Sequence, residues 1–264
     1  MRFPLKRTAL TTILLGAAAA AACSDSTRPL GSAGQAVSLS FSGARPPGMA
    51  AVMSSMSAVA DTLKIGSGAD TLRITSVEIV LRKIELERIE TAVNCDSIPD
   101  SSKSCEEFTV GAMLVNLPVI AGTSTSFSVP IDSGTYSKVE FKVHKPGSDA
   151  VDLAFIAANP GFPTNTSIRV RGTFNGTAFT YTSALDAKQE YTFTPPLHIN
   201  GSGSETNLTI RLDISTWFKT GAGAIVNPNT ANAGGANESL VQNNIKASIK
   251  AFEDKDKNGD ERDG

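Results

Sequence analysis

Histidine, tryptophan and cysteine are scarce in this chain: its 264 residues include two histidines, one tryptophan and three cysteines. Familiar catalytic and nucleotide-binding signatures are missing as well, since G-x-S-x-G, H-E-x-x-H, Walker and G-x-G-x-x-G sequences do not occur. Serine is common, but no pattern pairs a particular serine with a base. We therefore assign no catalytic residue and expect a protein that is not an enzyme.

Basic residues are not in excess, because 24 lysines and arginines stand against 26 aspartates and glutamates. The first 22 residues contain three basic and no acidic residues, so their removal shifts the formal net charge from −2 to −5. Affinity for nucleic acid depends on lysine and arginine that neutralise phosphates. The acidic balance therefore excludes nucleic acid as an expected partner.

Long hydrophobic runs are absent except near the N-terminus. Arg2, Lys6 and Arg7 precede an apolar stretch from Ala9 to Ala22 that ends in small residues. That order is typical of a secretory signal, and the stretch falls short of the roughly 20 residues that a membrane span needs. We predict that residues 1–22 are a signal peptide and that the chain has no transmembrane helix.

The signal ends in Ala20-Ala21-Ala22-Cys23, which resembles the lipobox of bacterial lipoproteins. In that family the cysteine becomes the lipidated first residue of the mature chain, so the resemblance implies lipidation of Cys23 and a membrane partner. Ala20 departs from the usual leucine, and the alternative is ordinary cleavage after an A-x-A site. The expected location is the bacterial cell envelope, on the periplasmic or surface side, with residues 23–35 as a flexible tether.

Two cysteines remain, Cys95 and Cys105, separated by a polar segment that is rich in turn residues. In an oxidising compartment this arrangement predicts a disulfide worth about 2–3 kcal/mol. A zinc site is the weaker interpretation, because two thiols without a nearby histidine do not complete a ligand set.

Short runs of alternating apolar and polar residues recur between residues 36 and 218 and are separated by turn residues such as Asn175-Gly176. They predict an all-β fold, an antiparallel β-sandwich of Ig- or transthyretin-like type. The alternation slips by one residue near Lys83, which predicts a β-bulge. Residues 43–59 are interpreted as a disordered insertion, and residues 219–237 as a loop.

Residues 238–264 combine a predicted helix with an acidic tail. Val241, Ile245, Ile249 and Phe252 follow helical spacing. The tail has the D-x-D-x-[DN]-G spacing of calcium loops, although the chain ends before the bidentate glutamate of an EF-hand. The candidate Ca²⁺ ligands are Asp254, Asp256, Asn258, Asp260 and Asp263. The alternative is a solvated acidic tail that binds no metal.

Other candidate residues have ordinary structural interpretations. We expect His144 and His198 to be surface strand residues and Trp217 to be a core anchor. A carbohydrate-binding or adhesive module would need an exposed aromatic cluster drawn from Phe179, Tyr181, Tyr191, Phe193 and Trp217. A hydrolase would need two carboxylates assembled across strands.

Residues 74–86, Asn116-Leu117-Pro118 and residues 129–141 together resemble the DUF4382-like bacterial lipoproteins. The resemblance covers residues 70–145 and implies an exported β-sandwich domain of uncharacterised role. It implies no catalytic residue. The leading hypothesis is a non-catalytic cell-envelope lipoprotein that acts as a binding or structural module with an unknown protein or glycan partner.

Overall fold

The computed structural model describes residues 35–43, 62–89, 105–107, 111–119, 124–131, 133–199 and 206–255. These residues all belong to one compact unit of the chain, residues 33–264. The predicted signal peptide, most of the tether, nearly all of the 43–59 insertion and the distal part of the acidic tail lie outside the described residues.

Strands dominate the described part of the chain, as the alternating pattern predicts. The strands are β1 (Gln35–Gly43), β2 (Leu63–Ser67), β3 (Asp70–Arg88), β4 (Cys105–Glu107), β5 (Met113–Leu117), β6 (Ser124–Ile131), β7 (Gly134–Val143), β8 (Ile168–Phe174), β9 (Thr177–Ser183), β10 (Ala187–Ile199), β11 (Thr206–Leu212) and β12 (Ile249–Glu253). The two α-helices are α1 (Ala150–Ala158) and α2 (Glu238–Ala247).

The strands form two sheets whose apolar faces share one core. The smaller sheet has the order β12-β11-β1-β6, and the larger one has the order β10-β7-β3-β8-β9 with β2, β4 and β5 also paired to β3. Leu39 and Ile210 from the first sheet join Ile79 and Phe141 from the second in one buried cluster. The predicted all-β, sandwich-like fold is confirmed, although β1 and β11 pair in parallel.

Two local predictions are also confirmed. The ladder between β3 and β7 shifts register between Arg82 and Ile84, and Lys83 at this bulge has a φ of 53°. At the β8–β9 turn, Asn175 and Gly176 have φ values of 50° and 83°. Positive φ at both central residues is the geometry that an Asn-Gly hairpin turn supplies.

The C-terminal helix is shorter than its apolar spacing predicts. Helix α2 ends at Ala247, and Ile249 to Glu253 instead form β12, which pairs antiparallel with β11. The extrapolation of the helix to Phe252 was wrong, because the free edge of β11 offers this segment a ladder of backbone hydrogen bonds.

Helix α1 was not predicted from the sequence. It follows β7 and lies against the outer face of β3, where Phe155 packs with Val80 and Phe162 in a second, smaller apolar cluster. No helix in the described ranges is long and apolar enough to cross a membrane.

Candidate functional site

The outer face of β3 is buried where helix α1 covers it. Val77, Ile79 and Leu81 face the main core, so Glu78, Val80 and Arg82 point to the opposite side of the sheet. Val80 is fully buried beneath the helix, with a polar group on each side of it along the strand. This face therefore holds two clusters of ionisable side chains in a location that usually faces water.

The first group, the His144 cluster, consists of Arg82, His144, Asp149 and Asp152. Asp152 lies on the inner side of α1 and is only 1% exposed. Nε2 of His144 lies 2.9 Å from both carboxylate oxygens of Asp152. Arg82 Nη1 donates to Asp152 Oδ1 at 3.2 Å, and the backbone N–H of Gly147 donates to Oδ2 at 2.6 Å. Three donors thus converge on one buried carboxylate.

The prediction that His144 is a surface residue is wrong, because it is 7% exposed. His144 does continue the polar face of β7, as its position in the alternation indicates, but α1 covers that end of the face. Its Nδ1 atom has no hydrogen-bond partner in the described part of the chain, and Asp186 Oδ1 lies 3.6 Å away. His198 is exposed as predicted and contacts the Thr135 hydroxyl through Nδ1.

Asp149 links this cluster to the start of the helix. Its carboxylate accepts the backbone N–H of Asp152 at 2.9 Å, which caps α1, and accepts Arg82 Nη1 at 2.9 Å. The backbone hydrogen bond and then the Arg82 interaction hold the pKa of Asp149 below its ordinary value. Arg82 consequently bridges two aspartates of the α1 segment and fixes the helix on the sheet.

Lys142 on β7 and Asp186 in the connection that precedes β10 flank the same cluster. Partial burial would raise the pKa of Asp186, but the hydrogen bond and charge of Lys142, 3.0 Å away, leave that pKa lowered. Asp186 is therefore an ionised neighbour of His144 at neutral pH. No serine, threonine or cysteine side chain in the described ranges hydrogen-bonds to His144, so the pair with Asp152 has no adjacent nucleophile there.

The second group, the Glu78 cluster, consists of Glu78, Arg169 and Arg171. Glu78 and Arg169 stand directly opposite each other on β3 and β8. Arg169 donates through Nε and Nη2 to the two carboxylate oxygens at 2.5 and 2.6 Å, and Arg171 Nη1 donates at 3.2 Å. Arg169 also lies 4.9 Å over the ring of Phe162. This is a bidentate, nearly dry ion pair with fixed geometry.

A third polar group crosses the outer face of the smaller sheet. Ser40 Oγ donates to Asn207 Oδ1, Asn207 Nδ2 donates to Thr209 Oγ1, and Thr209 Oγ1 donates to Asp254 Oδ2 at 2.7 Å. All four side chains are buried, and Asp254 is fully so. The chain of hydrogen bonds fixes Asp254, the first predicted Ca²⁺ ligand, at the end of β12.

Most of the other predicted site residues fall outside the ranges that the structure describes. Asp256, Asn258, Asp260 and Asp263 lie outside the described residues, as do Cys23 and Cys95. The backbone of Cys105 begins β4, where it pairs with Glu87. Within the described ranges, no three histidine, cysteine, aspartate or glutamate side chains lie close enough to hold a metal ion.

The aromatic residues that a sugar-binding surface would need are inside the protein. Trp217 is fully buried and donates its indole N–H to Ser248 Oγ at 2.8 Å, which confirms its role as a core anchor. Phe179, Tyr181 and Phe193 are buried. Tyr191 is half-buried, stacks on Phe141 and donates its hydroxyl to the Ile249 carbonyl. Burial raises the pKa of both tyrosines to about 12, so they stay protonated at neutral pH.

Comparison with known proteins adds little to this geometry. No family model matches the chain, and no curated protein matches it. Among solved structures, MbnP from Methylosinus trichosporium matches with 9% sequence identity and a TM-score of 0.37, over 83% of this chain and 98% of that chain. A likeness this weak supports no conclusion about function, which has to be inferred from the residues themselves.

Proposed function

We propose that this protein is a non-catalytic lipoprotein of the bacterial cell envelope, anchored through Cys23, and that its β domain is a binding or structural module. The export signal and the lipobox-like sequence support the location. The resemblance to DUF4382-like lipoproteins agrees with an exported β domain.

The observation that carries the non-catalytic role is that the buried charges bind one another. Asp152 is occupied by three donors, and Glu78 is held by two arginines. A general base or nucleophile needs an accessible reacting atom with a suitable partner. The His144 and Glu78 clusters instead join α1 to the sheet and β3 to β8, which is a structural use of charge.

The two alternative functions receive less support. Burial of four of the five candidate aromatic residues counts against a carbohydrate-binding face. The hydrolase hypothesis needs two carboxylates that are free to act on a substrate, whereas Asp149 and Asp152 share the guanidinium of Arg82.

The anchor is tested by replacing Cys23 with serine and fractionating the cells. We expect the wild-type protein in the membrane fraction and the Cys23→Ser variant to be released from it, because lipidation requires the thiol. A Cys105→Ser variant is the matched control, and it should remain in the membrane fraction. Equal partitioning of the wild-type and Cys23→Ser proteins after a high-salt, alkaline wash would contradict the anchor.

A Ca²⁺-binding tail is part of the same proposal. Thr209 holds Asp254 in place, so Ca²⁺ binding that starts at this residue would tie the tail to the end of β12. With a dissociation constant of roughly 10⁻⁴–10⁻³ M, about 5 mM Ca²⁺ should stabilise the fold by about 1–2 kcal/mol and raise Tm by about 2–8 °C.

The thermal measurement has a matched variant and a matched ion. Asp256→Asn should abolish the rise in Tm, and the same concentration of Mg²⁺ should produce a smaller rise, because Mg²⁺ gives up its water reluctantly. An unchanged Tm of the wild-type protein in Ca²⁺ would show that the tail is only a solvated acidic segment.

A further inference from the structure

Helix α1 has the reverse of the usual polarity for a surface helix. Its one ionisable residue, Asp152, faces the sheet and is buried. The outward residues carry no polar side chain at all; they are Ala150, Val151, Leu153, Ala154, Ala157 and Ala158. A helix on a water-facing surface normally has its charged residues outside and its apolar stripe inside.

The outward face of α1, defined by these six residues, is also where exposed bulky apolar side chains concentrate. Leu153 is 54% exposed and Val151 is 39% exposed. Ile89 is the one other large hydrophobic residue that is exposed in the described part of the chain. The exposure is therefore local to one convex ridge and is not a general property of the surface.

The His144 cluster keeps this ridge pointing outward. Rotation of α1 about its axis to bury Leu153 would withdraw Asp152 from His144, Arg82 and Gly147. Such a rotation would leave the buried His144 side chain, and one hydrogen bond of the partly buried Arg82, without an acceptor, which is costly. The ion pairs consequently fix an apolar ridge in a position where water alone would disfavour it.

The size and charge of the ridge favour lipid over a protein partner. A helix of nine residues is about 14 Å long and about 10 Å wide, so it covers far less than the roughly 800 Å² per partner of a stable protein interface. Neither a second copy nor a folded partner would be held firmly by this helix alone. The ridge also lacks charged side chains that could recognise a charged surface. A bilayer requires no matching shape and can accept any convex apolar ridge.

We propose that the outward face of α1 inserts into the phospholipid interface of the membrane that carries the Cys23 anchor. This inference rests on the proposed lipoprotein function. The 12 residues from Cys23 to Gln35 can span at most about 40 Å, so the domain is confined close to the bilayer. This confinement gives α1 a high effective concentration at the bilayer, so even a weak insertion of a short helix keeps it bound there.

The test uses the full mature protein, purified from membranes and reconstituted into phosphatidylcholine vesicles. An environment-sensitive fluorophore is attached at Ala154→Cys on the ridge or, as a matched control, at Ala178→Cys, an exposed alanine of β9. Lipids that carry a quencher at the top of the acyl chain should quench the probe at residue 154 at least about threefold more than the probe at residue 178. Leu153→Asp should reduce the quenching at residue 154 about threefold, to the level at residue 178, because it replaces the largest apolar contact.

Mass spectrometry of the same samples separates the possible outcomes. An acylated Cys23 with equal quenching at residues 154 and 178 overturns the insertion and leaves the proposed function in place. An unmodified Cys23 overturns the proposed function, and the insertion falls with it. Cross-linking of Ala154→Cys copies to one another without vesicles would assign the ridge to a second copy of the chain and overturn the bilayer contact.

Discussion

Replacing Arg169 with methionine is expected to lower the free energy of unfolding by about 3–5 kcal/mol. Arg169 supplies both hydrogen bonds of the bidentate pair with Glu78, and both residues are buried. Removal of the arginine leaves Glu78 in a nearly dry site with only Arg171, which is partly exposed and 3.2 Å away. Urea denaturation followed by the fluorescence of the buried Trp217 measures the loss.

A double variant shows whether the loss comes from an unpaired charge or from the loss of packing. Glu78→Met combined with Arg169→Met should recover most of the stability, since an apolar pair of similar volume avoids the desolvation of both charges. Arg171→Met is the control, and it should cost less than about 1 kcal/mol because its side chain is 46% exposed. A double variant as unstable as Arg169→Met would contradict the role of the charge pair.

Replacing Asp152 with alanine should cost about 3 kcal/mol and should loosen α1 in particular. The substitution leaves His144 Nε2, one Arg82 hydrogen bond and the Gly147 N–H without their common acceptor. Arg82 keeps its contact with Asp149, which limits the loss. Urea denaturation gives the magnitude, and amide hydrogen exchange should show faster exchange in residues 150–158 than in β3.

The neighbouring residue provides the control for this substitution. Leu153→Ala leaves the cluster untouched, and Leu153 is largely exposed, so the free energy of unfolding should change by no more than about 0.5 kcal/mol. An Asp152→Ala protein as stable as Leu153→Ala would show that the His144 cluster does not hold the helix in place.

The strands and turns could be predicted because their signals are local. Recurring alternation between residues 36 and 218 predicted strands in the part of the chain that contains β2 to β11, and the phase slip near Lys83 marked a real bulge. The Asn175-Gly176 turn has the positive φ angles that its residue types favour. In each case neighbouring residues along the chain decide the geometry.

Helix α1 could not be predicted from the same kind of pattern, because its sequence does not divide into one polar and one apolar helix face. Its sequence, AVDLAFIAA, is apolar around most of the circumference, and its single charge is buried. Without α1 there was no reason to expect His144 or Glu78 to be covered. Glu78 and Arg169 are also 91 residues apart, so their pairing depends on the register between β3 and β8.

The C-terminal helix was extended too far for a related reason. Ile249 and Phe252 fit the helical spacing of Val241 and Ile245, and both are buried. They are buried in β12, where the pairing with β11 decides the conformation. Strand pairing here overrides the helical spacing of the apolar residues, which agrees with the structure only as far as Ala247.

Anchoring of the domain at the membrane depends on the chemical state of Cys23. The decisive measurement is the mass of the N-terminal peptide of the mature protein extracted from cell membranes. We predict that the peptide begins at Cys23 and carries the mass of attached acyl chains. A peptide with an unmodified Cys23, or a mature chain that begins at another residue, would contradict the lipoprotein anchor.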